Sequence, residues 1–137
     1  MNLQQFLNKN KVSGLTEEVP ISDRLRDENG KLYMAKIKVV DGKEYNQLNN
    51  QAVEVDIKTK KVKVNKDLVD VQLVLNYCEY PNFKSAEDIK AAGCVTPEQY
   101  LRTVLLPGEI QSIANSIREL SGLNESIEEL EEEVKNY

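Results

Sequence analysis

Leu106, Ile110, Ile113, Ile117 and Leu120 recur at alternating steps of four and three residues, and the pattern restarts after Gly122 with Leu123, Ile127, Leu130 and Val134. On a helix of 3.6 residues per turn each set forms one apolar stripe. Such a stripe must be covered, because exposing a large aliphatic side chain forfeits about 1.5–3 kcal/mol. Two covers are available. The two helices can pack on each other as an αα-hairpin and on the core of their own domain, or part of the stripe can receive the apolar helix of a partner. The internal cover is favoured for the helix over residues 108–121. The last helix, Glu125 to about Asn136, is the better candidate surface, since a terminal, glutamate-rich helix relies on packing for its stability. The candidate protein-binding residues are therefore Ile110, Ile113, Ile117, Leu120, Leu123, Ile127, Leu130 and Val134.

Local signals divide the rest of the chain. Leu3, Phe6 and Leu7 have helical spacing, so residues 2–9 read as a short amphipathic helix. Lys11–Glu18 is polar and reads as a connector, and Val19–Ile21 as a short strand that Pro20 confines to an edge. After the Asn29-Gly30 turn, Tyr33, Ala35, Ile37 and Val39 alternate with Leu32, Met34, Lys36 and Lys38, which predicts a strand within Lys31–Val40 with Arg24–Glu28 as a candidate hairpin partner. Asp41 and Glu44 have the spacing of a helix-opening capping box. Val53, Val55 and Ile57, then Val62 and Val64, predict a hairpin with a basic tip. Asn65 caps a helix over about 66–79 carrying Leu68, Val71, Leu75 and Cys78, which Tyr80-Pro81 ends. Further helices are marked by Ser85 with Asp88, by Thr96-Pro97 and by Leu106-Pro107-Gly108, and Ser121-Gly122 forms a stop. The expected fold is α+β in one domain over residues 1–137. A small antiparallel sheet occupies 19–64 within a mixed part (1–65), and a helical part (66–137) ends in the αα-hairpin.

Several chemistries are disfavoured. The chain has no histidine, so the side chain best suited to proton transfer near neutral pH is missing. There is no Gly-rich phosphate loop and no nucleophile elbow. An enzyme is not expected, and neither is a cofactor. Cys78 and Cys94 without histidine do not suggest a zinc site, and the six acids of residues 125–133 lack the loop and turn glycine of a calcium site. The two thiols are expected to be reduced. No apolar run approaches the roughly 18–20 residues of a membrane span. The first residues lack the pattern of a secretory signal, so the chain is expected to stay in the compartment that made it. Residues 109–137 carry eight acids against two bases, which disfavours nucleic acid as a ligand. The basic tip (Lys58, Lys60, Lys61, Lys63, Lys66) has no interleaved aromatic residues for base stacking, and its lysines can equally guard an exposed strand against aggregation.

Taken in order, Leu3-Gln4-Gln5-Phe6-Leu7, Ile21-Ser22-Asp23-Arg24-Leu25-Arg26-Asp27-Glu28-Asn29-Gly30-Lys31, Lys36-Ile37-Lys38, Cys78-Glu79-Tyr80-Pro81-Asn82-Phe83, Leu105-Leu106-Pro107-Gly108-Glu109-Ile110 and Ser121-Gly122-Leu123-Asn124 resemble the XkdN-like tail assembly chaperone family of tailed phages and phage-derived contractile tails. The likeness covers nearly the whole chain and rests on order and spacing rather than on one motif. It implies a chaperone made in the host bacterial cytoplasm that binds the tape measure protein, keeps its apolar helical segments soluble until tail tube subunits polymerise around it, and is absent from the mature particle. Related chaperones often occur in two lengths through a ribosomal frameshift. The tail tube protein and a longer frameshifted form of the chain are therefore further candidate partners, and a homo-oligomer stays open. The alternatives are a structural tail or adaptor component retained in the particle, and a small regulatory protein that binds RNA or polymerase.

Overall fold

Ala35 and Ile37 are fully buried while their neighbours Met34 and Lys36 are exposed, so the expected alternation is realised, over Met34–Lys38. The computed structural model describes residues 1–123. In chain order the elements are α1 (Leu3–Lys9), a 3-10 turn (Val12–Gly14), β1 (Thr16–Pro20), β2 (Met34–Lys38), α2 (Gly42–Gln51), β3 (Val53–Val55), β4 (Val62–Val64), α3 (Lys66–Tyr77), β5 (Cys78–Tyr80), α4 (Ala86–Ala91), α5 (Pro97–Val104) and α6 (Pro107–Leu120). The α+β class expected from the sequence holds. The second helix of the expected αα-hairpin lies outside the described residues.

The main sheet has the order β1-β2-β5 and is antiparallel throughout, with Thr16 opposite Lys38 and Pro20 opposite Met34. Pro20 sits on an edge strand, where its missing N–H breaks no ladder between two neighbours. Three local expectations are corrected. The segment read as a connector contains the 3-10 turn, and from Thr16 onward it is strand; its exposed polar side chains suit an edge and hide the two-residue period. Arg24–Glu28 makes one bridge, Arg26 with Leu32, and β1 takes the place beside β2 instead. The helix expected to reach residue 79 stops at Tyr77, and Cys78–Tyr80 pairs with β2. Pro81 disfavours helix in the residue before it, and the extended backbone at Cys78 turns the chain onto the sheet. One strand of the sheet thus comes from the half expected to be wholly helical.

α3 is the central helix. Val69, Val71, Leu73, Val74, Leu75 and Tyr77 are buried on more than one side of it, because α2, α5, α6 and β5 all pack against it. A helix apolar nearly all round is stable only when enclosed. Leu68, expected on its apolar face, is exposed. β3 and β4 form a separate two-stranded ribbon that leaves the body between α2 and α3.

Candidate functional site

α6 resolves the two readings of the apolar stripe for its own length. Ile110, Ile113 and Ile117 are buried with Ala114 among residues of the core, where α6 lies against α3 and β2. These three candidates are corrected to core positions, since their surface is already covered by the chain itself. Leu120 and Leu123 are half-buried at the margin of the core. Leu106, the first residue of the stripe, is exposed. Ile127, Leu130 and Val134 lie outside the described residues.

Two polar clamps fix α6. At its start Leu106 has no polar side chain to act as a cap. The carboxylate of Glu109 supplies the bond instead, accepting from the Leu106 N–H at 2.7 Å. The same carboxylate is gripped by Arg24, whose Nε donates to Oε2 at 2.8 Å and whose Nη2 donates to Oε1 at 2.7 Å. Burial by itself would raise the carboxyl of Glu109, but the Arg24 guanidinium and the Leu106 amide outweigh it and hold its pKa at about 2. Near the other end Arg118 reaches Asp70 on α3 at 2.6 Å, and its Nε donates to the Tyr45 hydroxyl on α2 at 3.0 Å. Burial pushes the Asp70 carboxyl up, and the bond and charge of Arg118 pull it part of the way back. The helix closes with Gly122 in the left-handed region (φ 78°), the Leu123 N–H bonding the Arg118 carbonyl at 2.7 Å. This is the glycine-terminated helix end that Ser121-Gly122 announces.

Two apolar surfaces remain uncovered by the described residues. The first is α1. Its cap is reciprocal, Gln5 N–H to Asn2 Oδ1 at 2.9 Å and Asn2 N–H to Gln5 Oε1 at 3.0 Å, and it buries no residue. Leu3, Phe6 and Leu7 are each more than half exposed, and Val12 and Leu15 extend the exposed apolar run toward β1. The sequence shows the helical spacing of this segment but not whether its face is occupied. The second is the β3–β4 ribbon, where Val53, Val55 and Val62 are exposed.

Among the described residues no three His, Cys, Asp or Glu side chains come together to hold a metal ion. Cys78 is buried and its thiol is pushed up to about 11, which leaves it protonated and a poor nucleophile. No described helix is long and apolar enough to cross a membrane.

The family profile of the phage XkdN-like tail assembly chaperone protein matches residues 3–135. The protein YqbN of Bacillus subtilis (strain 168) is 25% identical over 139 residues, covering 98% of this chain and 93% of the relative. The fold is similar to that of the crystal structure of the protein YqbN, with a TM-score of 0.63 at 20% identity, covering 89% of this chain and 97% of that one. The match to the family runs through α1, the sheet, the core helices and α6, and the chain belongs to the XkdN-like phage tail assembly chaperone family.

Proposed function

We propose that this protein binds the tape measure protein in the bacterial cytoplasm and shields its apolar helical segments until tail tube subunits displace it. The observation that carries this reading is α1, an amphipathic helix that caps itself and places none of its apolar side chains in the protein's own core. An exposed apolar helix face is the complement of another one, and α1 offers Leu3, Phe6 and Leu7 to such a client. The second part of the proposed surface begins at the half-buried Leu120 and Leu123 and continues to Ile127, Leu130 and Val134. Ile110, Ile113 and Ile117 serve as the rigid base beneath it. A shield that must later be released works best through several modest contacts, and two short surfaces on one carrier supply them.

Co-expression with the tape measure protein tests the proposal. The client is expected to become soluble and to co-purify with the chain. A client that stays insoluble and unbound at matched expression would overturn the reading. Mass spectrometry of purified tails separates it from a structural role, because abundant chain in mature particles would point to a component that stays.

A further inference from the structure

Val53 stands opposite Val64 and Val55 opposite Val62, so the four valines share one face of the β3–β4 ribbon. Val53, Val55 and Val62 are exposed, and Val64 is half-buried. The other face is polar and engaged within the chain. There Glu54 stands opposite Lys63 and accepts from Asn65 Nδ2 at 2.9 Å. A two-stranded ribbon with one bare apolar face is marginal in water, and a cover on that face would stabilise it.

The charge beside this face selects the cover. Lys58, Lys60 and Lys61 lie in the turn between the strands, at the outer end of the valine face. None of the ion pairs among the described residues uses them. The one carboxylate of the turn, Asp56, is taken up by the backbone, accepting from the N–H of Lys58 at 2.9 Å and of Thr59 at 3.4 Å. Two ordinary reasons for such lysines fail here. A lysine guards an open edge by standing on the strand, and these three stand beyond the ladder. Nor does the turn call for lysine, since Lys60 has φ 57°, in the left-handed region where Gly or Asn costs least. The same sign recurs at the other bare apolar surface. Residues 1–15, which include α1, carry Lys9 and Lys11 and no acid, and residues 53–66 sum to +3. The remaining described residues, 16–52 and 67–123, sum to −5. Basic charge thus accompanies the two uncovered apolar surfaces of an otherwise acidic protein.

The spacing of the valines suits a helix. The two pairs stand about 7 Å apart along the strands, close to the rise of about 6 Å between positions i and i+4 of a helix. We infer that the valine face of the β3–β4 ribbon is a docking surface for an amphipathic helix of a partner protein whose apolar stripe is flanked by glutamates or aspartates, which pair with the tip lysines. Exposed charge pairs are weak singly and screened by salt, so this contact is salt-sensitive and readily reversed. The surface lies outside the one proposed for the tape measure protein and is read with synthetic peptides, so either reading can fail without the other.

Titration of the full chain with two designed helical peptides, followed by amide NMR, tests the surface. Both peptides carry the same leucine stripe, flanked by glutamates in one and by lysines in the other. The glutamate peptide is expected to shift the amides of residues 53–64 and to bind at least about tenfold more tightly there than the lysine peptide. Raising the salt should narrow that difference. Replacing Lys58, Lys60 and Lys61 together by Glu keeps the valines and should reverse the preference. Val55→Ser with Val62→Ser should abolish the shifts in residues 53–64 for both peptides. The inference is overturned if neither peptide shifts residues 53–64 or if both bind there equally. It is equally overturned if the glutamate peptide binds there only after Glu131, Glu132 and Glu133 are replaced by Gln, which would make the chain's own acidic segment the occupant. Shifts in residues 53–64 that grow with protein concentration alone would assign the face to a second copy and overturn it too.

Discussion

Arg118 of α6 meets Asp70 of α3 at 2.6 Å, with the Asp70 side chain 1% exposed and that of Arg118 12% exposed. The pair ties the two most extensively packed helices together, and Tyr45 adds α2 through the same guanidinium, whose carbon lies 5.9 Å from the ring centre. Removing one partner leaves a charge with little solvent to stabilise it. Arg118→Met or Asp70→Leu should each cost about 3–5 kcal/mol in urea denaturation, whereas the double replacement should cost clearly less than the sum. Additive losses would show that the two residues act separately.

The Glu109 clamp makes a prediction in pH. Its carboxyl titrates at about 2 in the folded protein against an ordinary value of 4.5. A lowered value means the clamp stabilises fully above about pH 4.5 and is lost as pH falls toward 2. Because Arg24 is half exposed, the effect is about 1–2 kcal/mol rather than the full shift. Glu109→Gln should lower the Tm at pH 7 and flatten the fall in Tm between pH 4.5 and 2. Asp70, with its raised carboxyl, contributes with the opposite sign, so acid relieves part of its burial cost. A Tm profile of Glu109→Gln parallel to that of the wild type would rule out this role.

The apolar stripe should separate into two kinds of position. Ile113→Ala removes a core side chain that is 1% exposed and should cost about 2–5 kcal/mol. Ile127→Asp with Leu130→Asp should instead leave the Tm nearly unchanged and reduce recovery of the tape measure protein in co-purification. If that double variant unfolds, the two positions belong to the core and the proposed surface is lost.

Phe6→Asp with Leu7→Asp should change stability by less than about 0.5 kcal/mol, because α1 buries no side chain. The same variant should weaken client capture. A large drop in Tm would mean that α1 has a structural partner in solution.

Much of the fold was legible because its boundaries are written in local chemistry. Asp41, Asn65, Ser85 and Thr96 each accept a bond from the backbone N–H three residues on, as their side chains and spacing indicate. The β2 alternation and the β3–β4 hairpin follow in the same way. β1 was only partly legible, since an exposed edge strand has no apolar period to read. The β5 strand was hidden for a different reason. Cys78-Glu79-Tyr80 continues a helical sequence, and only the neighbouring β2 gives its extended form a ladder of bonds.

The candidate surface divides along the same line. The repeat in residues 106–134 determined by itself that apolar stripes exist and where Gly122 interrupts them. A periodicity specifies a face, and it carries no information about what lies opposite. The packing of α6 on α3 and β2 decided that Ile110, Ile113 and Ile117 are core, because those elements reach α6 from distant parts of the chain. The same packing left α1 and the valine ribbon outside. Burial is a property of the assembled neighbours, and local sequence determines only the stripe that seeks them.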